Sequence, residues 1–317
     1  MSKPSQSALR VPKMFALSET IQHARRVGSP IVALESTVIT HGLPIPHNLE
    51  LARDMEAQVL AHGATPATIA LLQGKVHIGL SEAQLTTLAH MEHTRKISLR
   101  DFGIALANGL SGGTTVAATL FVAAQAGIRV FATGGIGGVH RGGHFDISAD
   151  LTQLGRSRVV VVCAGAKSIL DLPATHEVLE TQGVPIIGYQ TSDFPGFFTR
   201  SSGLSVDYRV DTPAEAAQIA LDAWEAGLGT AVLLVVPPPV ESAMPAEEME
   251  SAIQAALNEA QQAGIHGAAT TPFLLKRVSE LTGGESMRAN LDLLKNNARV
   301  AAQVAKAMVS AVGAIAV

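Results

Sequence analysis

Arg158-Val-Val-Val-Val-Cys-Ala-Gly-Ala-Lys167 decides how this chain folds. Four consecutive valines are apolar on both faces of a strand, so the strand belongs in the middle of a sheet with helices covering each side. Outward from it, one unit recurs: a helical pattern ends in glycine and a short apolar run follows. Gln125-Ala-Gly127 precedes Ile128 to Ala132, Thr181-Gln-Gly183 precedes Val184 to Gly188, and Glu225-Ala-Gly227 precedes Thr230 to Val236. Glycine just past a helix supplies the left-handed cap, and each following run has the length of a buried strand. Alternating helix and strand defines the fold class as α/β, with the sheet sandwiched between helices. One helix start is marked in full: Thr212-Pro213-Ala214-Glu215 offers a capping hydroxyl, a first-turn proline and a capping-box glutamate, predicting a helix to about Ala226.

Composition agrees with that architecture. Apolar residues make up 47% of the 317 residues and aromatics only 4%, so the core is built from Ala, Val, Leu and Ile. With 23 basic and 27 acidic side chains and no basic stripe, nucleic acid is not an expected partner. The single cysteine, Cys163, excludes an intramolecular disulfide and a multi-cysteine zinc site, and suits a reducing compartment. Residues 1–12 read as a disordered polar tail without a signal-peptide core, residues 13–317 as a single α/β domain, and the expected location is cytoplasmic. The windows Val116 to Gly135 and Ala298 to Val317 are apolar but interrupted by charged or polar side chains, so neither is expected to span a membrane.

Four segments could carry chemistry. The glycine-rich stretch Thr133-Gly-Gly-Ile-Gly-Gly-Val-His-Arg-Gly-Gly143 follows an apolar strand, where it can bring backbone N–H groups close to a ligand or simply form a flexible turn. It does not fit the dinucleotide fingerprint, because His140 stands where glycine is needed, and Ala166 before Lys167-Ser168 excludes a Walker loop there, but His140 and Arg141 beside the glycines favour an anion site. Lys167 follows the valine strand, at the carboxyl end where ligands of open α/β sheets collect. A helix opening near Ser168, together with desolvation, would lower the pKa of that lysine and suit it to attack a sugar aldehyde, whereas the commoner lysine merely covers apolar surface. Glu35 lies in Ile31-Val-Ala-Leu-Glu-Ser-Thr-Val-Ile39, a β-branched run that reads as a buried strand, so the carboxyl has either a general-acid task or an arginine partner. Ser36, Thr37, Thr40 and His41 make its end polar enough to face a ligand. Asp146 and Asp150, close after the glycines, could hold a hard divalent cation or cap the next helix.

Taken together these segments resemble the pseudouridine-5′-phosphate glycosidase family, related to the indigoidine synthase A proteins, from about Ile31 to Met308. The stretches that carry the likeness are ALESTVITHGLP from Ala33, GGTTVAAT from Gly112, FATGGIGGVHRGG from Phe131, FDISADL from Phe145, VVCAGAKSILD from Val161 and GYQTSDFPGFFTRSSG from Gly188. The resemblance implies a three-layer α/β/α sandwich with a mixed, largely parallel sheet, a homotrimer, and one manganese-type divalent ion (Mn2+) per subunit. It implies reversible conversion of pseudouridine 5′-phosphate and water to uracil and ribose 5-phosphate. Position by position, Lys167 is then the nucleophile, Glu35 the proton donor and Asp146 the metal ligand. Lys96, Val116, Ser148, Ala149 and Asp150 contact substrate, and Thr133, His140 and Asn290 complete the phosphate and ribose pocket. The loop between Arg141 and Phe145 is shorter than the family pattern. A lysine-dependent lyase or aldolase releasing another fragment, or a non-catalytic sugar-phosphate sensor, is the alternative reading, and release of uracil separates them.

Overall fold

The computed structural model describes residues 11–142, 146–265 and 270–315. The expected tail thus falls almost wholly outside the described residues, as does the shortened loop apart from Gly142. The strands are β1 (Phe15–Leu17), β2 (Ile31–Leu34), β3 (Thr65–Leu72), β4 (Lys75–Ile78), β5 (Arg95–Ile97), β6 (Gly112–Thr114) and β7 (Val130–Ala132). They continue with β8 (Val139–His140), β9 (Val160–Cys163), β10 (Leu170–Asp171), β11 (Ile186–Tyr189), β12 (Tyr208–Val210) and β13 (Val232–Val235). The helices are α1 (Glu19–Val27), α2 (His47–Ala61), α3 (Glu82–His90), α4 (Leu99–Ala107), α5 (Val116–Gln125) and α6 (Ala149–Leu154). After these come α7 (Leu172–Thr181), α8 (Pro213–Glu225), α9 (Ala246–Gln262), α10 (Thr270–Leu281) and α11 (Glu285–Ile315).

The main sheet runs β1-β4-β3-β2-β7-β9-β13-β11-β12, with β6 paired to β3 and β5 to β6. The valine strand β9 therefore sits in its interior, every residue buried. All pairings are parallel except β3 with β4 and β3 with β6, so the sheet is mixed and largely parallel. On one face α11 packs on β2, β7 and β9 between α2 and α8; on the other, α5 packs on β2, β3, β6 and β7 beside α4 and α6. This is the α/β/α sandwich. Its core is one apolar cluster in which β2, β7 and β9 meet α11, with a smaller cluster where α2 and α3 close over Ile39 and Ala70.

Local rules hold where the sequence was explicit. Gly127, Gly183 and Gly227 all take left-handed backbone, at φ of 74°, 66° and 98°, directly after their helices. Cys163 closes β9, and burial pushes its thiol up to about 12, so it stays protonated. Among the described residues no helix is long and apolar enough to cross a membrane.

Two boundaries depart from expectation. The run from Ile31 does not stay in the sheet to Ile39: β2 ends at Leu34, and Val38–Gly42 form one π-helical turn. Side chains explain the exit, because Ser36 Oγ donates to the Ile69 carbonyl (2.6 Å) and accepts from the Thr114 amide (2.9 Å), taking bonds a continuing strand would have made. Nor does a helix open at Ser168. The helix begins at Leu172, capped by Asp171 Oδ1 accepting from the Ala174 amide with a proline in its first turn, which leaves Lys167 in the turn before it. The helix-dipole argument for Lys167 lapses accordingly.

The capping box at α8 is present as read, with Thr212 Oγ1 accepting from the Glu215 amide and Glu215 Oε2 from the Thr212 amide (2.8 Å). Thr212→Ala should lower unfolding free energy by about 1 kcal/mol in urea titration.

Candidate active site

The strand register brings the chemistry together. Leu34 pairs with Ala132 and Ala132 with Val162, so β2 and β7 end level with one another and β9 one residue further on. One residue further on, Glu35 and Thr133 stand side by side, and a cavity of ≈ 620 Å³ opens above them. Its lining includes Glu35, Lys96, Val116, Asp146, Ser148, Ala149, Asp150 and Lys167, with His140 and Asn290. Thr133 is not among the lining residues; it is fully buried beneath.

Thr133 serves Glu35 instead. Its hydroxyl donates to Glu35 Oε1 and the Thr37 hydroxyl donates to Oε2, so both oxygens of this buried carboxylate are satisfied without an arginine. Asn297 of α11 holds the Thr133 carbonyl through Nδ2 (2.9 Å). Of the polar cluster after Glu35, Thr37 and His41 line the cavity while Ser36 and Thr40 turn inward. Burial and nearby Lys96 hold the His41 imidazole below its ordinary pKa, and its Nδ1 lies 2.6 Å from Thr40 Oγ1.

The glycine stretch is close-packed rather than loose. The Gly137 amide donates to Asp150 Oδ2 and the Ala117 amide to Asp150 Oδ1, both at 2.8 Å. Asp150 thereby ties α6 to the glycine loop and to the first turn of α5; Ser148, not Asp150, caps α6. A Cβ at Gly137 would lie 2.3 Å from Ser148 Oγ and 2.8 Å from Asp150 Oδ2, and one at Gly135 would lie 2.6 Å from the Phe197 ring. The glycines of Gly112-Gly113 act alike, since a Cβ on Gly113 would lie 2.6 Å from the Ser36 carbonyl oxygen and one on Gly112 2.0 Å from that of Arg95. Glycine there lets β5, with Lys96, close on the turn that carries Glu35.

Lys167 is half-buried and its amide donates to the Ile136 carbonyl (3.0 Å), while the Ile136 amide donates to Gly165 (3.1 Å), so the lysine turn and the glycine loop run on as a ladder beyond the sheet. Lys96 is held below the ordinary lysine pKa, first by burial and then by the positive charge of Lys167, with Asp150 and Glu35 acting in the opposite sense. Arg141 departs from the anion-site reading: its guanidinium is bound to Glu250 and to two backbone carbonyls, and lines a separate cavity. Asp146 is exposed at the rim, and among the described residues no hydrogen bond reaches its carboxylate. No group of three or more metal-ligating side chains occurs among the described residues.

The apolar wall of the cavity has no counterpart in the residues singled out from sequence. Phe197, at φ 67° and with its amide donating to Ala164 (3.1 Å), joins Leu294 of α11 and Pro272 and Leu275 of α10. A signal for Phe197 existed in the long match from Gly188; α10 carried none, because an apolar residue on a helix looks the same whether it faces a core or a ligand.

The family model described as indigoidine synthase A like protein matches residues 20–307. A pseudouridine-5′-phosphate glycosidase of Herpetosiphon aurantiacus is 55% identical over 302 residues, covering 93% of this chain and 98% of its own. One from Caldanaerobacter subterraneus subsp. tengcongensis is 52% identical over 295 residues, covering 92% and 96%. Among solved structures, the prealnumycin C-glycosynthase AlnA in complex with ribulose 5-phosphate superposes with a TM-score of 0.89 at 39% identity, covering 96% of this chain and 99% of its own. An indigoidine synthase A-like protein of Thermotoga maritima gives 0.86 at 36%, covering 95% and 99%.

Gly137→Ala should break the Asp150 clasp, costing about 1–3 kcal/mol of stability in thermal or urea unfolding and removing activity. For Lys96 the sign follows from its depressed pKa: the cation is present below that pKa and lost above it. Affinity for a sugar phosphate, measured by calorimetry from neutral to alkaline pH, should fall at lower pH than an ordinary lysine would dictate. Lys96→Arg should move that fall to higher pH.

Proposed function

The chain belongs to the indigoidine synthase A like family, and we propose that it is a pseudouridine-5′-phosphate glycosidase. It converts pseudouridine 5′-phosphate and water reversibly to uracil and ribose 5-phosphate. The observation that carries this reading is one cavity holding a buried carboxyl group, Glu35, directly after β2, and a lysine, Lys167, in the turn that follows β9 on the other side of β7, with a second lysine, Lys96, close to both.

The bond to be broken is carbon–carbon. Glycosidases that expel a heteroatom use two carboxylates, a route that serves a carbon leaving group poorly. A lysine offers another. The Lys167 amine attacks C1′ as the bond from C1′ to the ring oxygen breaks, and the Glu35 carboxyl delivers its proton to that oxygen. The open-chain adduct then carries both nitrogen and uracil on C1′. The nitrogen sheds one proton, and uracil C5 takes one up. The nitrogen lone pair forms a C1′ imine while the electrons of the C1′–C5 bond return to the pyrimidine, releasing uracil. Water hydrolyses the imine, giving ribose 5-phosphate and freeing Lys167. Lys96 supplies positive charge for the phosphate and Ser148, at the start of α6, a hydroxyl. Holding the sugar through ring opening raises the effective concentration of the amine. Phe197, Pro272, Leu275 and Leu294 give the pyrimidine an apolar wall.

The divalent ion belongs to the proposal as well. In the cavity Glu35 and Asp150 have both oxygens occupied by hydrogen bonds, and Asp146 is the exposed carboxylate that no donor reaches among the described residues. One free carboxylate suits a hard cation of the Mn2+ type that keeps water ligands, and such an ion would offset phosphate charge. The homotrimer rests on the family resemblance alone.

Lys167→Ala should abolish uracil release from pseudouridine 5′-phosphate, measured with and without EDTA. Borohydride with ribose 5-phosphate should add one sugar phosphate at Lys167, seen by mass spectrometry. Normal turnover by the variant would overturn the lysine mechanism, and EDTA-insensitive turnover the metal.

A further inference from the structure

The turn that presents Lys167 has a brace on the side away from the cavity. Arg141, the residue after β8, donates from Nε to the Leu170 carbonyl (3.0 Å) and from Nη2 to the Ser168 carbonyl (3.2 Å). Its remaining contacts go to Glu250 of α9, Nη1 to Oε1 at 2.6 Å and Nη2 to Oε2 at 3.1 Å. These four bonds use four of the five N–H donors of a guanidinium, leaving too little for a bidentate grip on a phosphate. The group also lines the second cavity, with Ser168 and Thr199, and not the one that holds Lys167.

What the brace holds is a short segment whose Ile169 and Leu170 side chains are packed in the core but whose backbone makes few hydrogen bonds. From Lys167 to Leu170 the backbone is anchored by the Lys167 amide on Ile136 and the Leu170 amide on Lys167, while the buried Ser168 hydroxyl makes no hydrogen bond. The carbonyls of Ser168 and Leu170 point to Arg141, and β10 pairs antiparallel with β8, placing Leu170 opposite His140, which lines the active cavity. A fork reaching two carbonyls and a carboxylate at once fixes the turn in three directions, which a lysine ammonium at the same place would not do. Glu250 is half-exposed, so the ion pair is screened and its main effect is to aim the guanidinium.

We propose that Arg141 is a positioning residue for Lys167, with Glu250 orienting it, so that α9 takes part in presenting the nucleophile. This rests on the reading of Lys167 as the nucleophile. A nucleophile displaced slightly from its line of attack loses rate and not substrate affinity, so the signature is a fall in kcat at nearly constant KM.

The test compares Arg141→Ala, Arg141→Lys and Glu250→Gln for kcat and KM with pseudouridine 5′-phosphate and for amide hydrogen exchange in the peptide spanning residues 165–170. Arg141→Ala should lower kcat about 10- to 100-fold at nearly unchanged KM and speed exchange in that peptide. Arg141→Lys should stay close to the alanine variant, Glu250→Gln should fall between it and the parent, and a double variant combining Arg141→Ala with Glu250→Gln should be no worse than Arg141→Ala alone. A raised KM with unchanged kcat would overturn the proposal in favour of a phosphate contact. Unchanged kcat and exchange would overturn it outright. If Arg141→Ala does not fold, Arg141→Lys and Glu250→Gln decide by the same readouts. Failure of borohydride to label Lys167 in the parent would remove the nucleophile reading, while exchange and kcat would still report whether Arg141 holds the turn.

Discussion

The Asp150 carboxylate accepts two backbone amides from different parts of the chain, Ala117 at the start of α5 and Gly137 in the glycine loop, while riding on α6 itself. A charged acceptor with two amide donors in a buried site is worth more than an exposed ion pair, since each amide left unmet would carry its own desolvation cost. The geometry demands glycine at 137, because any Cβ would strike the carboxylate and Ser148. The loop so fixed offers the Ile136 carbonyl to the Lys167 amide. The same carboxylate's charge favours the cationic form of Lys96, against the burial and the neighbouring Lys167 that oppose it. One residue thereby contributes to both the shape and the charge of the cavity.

Around that clasp the sheet acts as a ruler. The level ends of β2 and β7 bring Glu35 beside Thr133, and the ladder continues outside the sheet to Lys167. Acid and amine therefore come from segments more than a hundred residues apart, held by main-chain register and not by flexible loops. That is the arrangement in which small errors of position are least tolerated and best prevented.

Much of this was legible in sequence for identifiable reasons. The four valines report burial on both faces, the glycines after α5, α7 and α8 report helix ends, and Thr212 to Glu215 reports a helix start, because each rule depends on the local chain alone. The misreadings share a different cause. Ile31 to Ile39 has strand composition throughout, yet Ser36 finds partners on β3 and β6 and pulls the chain from the sheet. Arg141 beside a glycine loop suggests an anion, yet Glu250, 109 positions away, claims it. Thr133 looked like a ligand contact and became a donor to Glu35. Partners distant in sequence decide each case, and no local pattern encodes them.

The cavity divides its labour between unlike parts of the molecule. Glu35, Lys167 and the glycine loop are fixed by sheet register and close packing, whereas Pro272 and Leu275 reach in from α10, which packs on α9 and α11 outside the sheet. α10 also touches the turn Val38–Gly42 that follows Glu35, and its side chains in the cavity shape the apolar wall. The apolar wall and the polar ladder thus come from different elements of the fold. Reshaping that wall is a matter of a few side chains, Pro272 and Leu275 on one helix and Leu294 on the next.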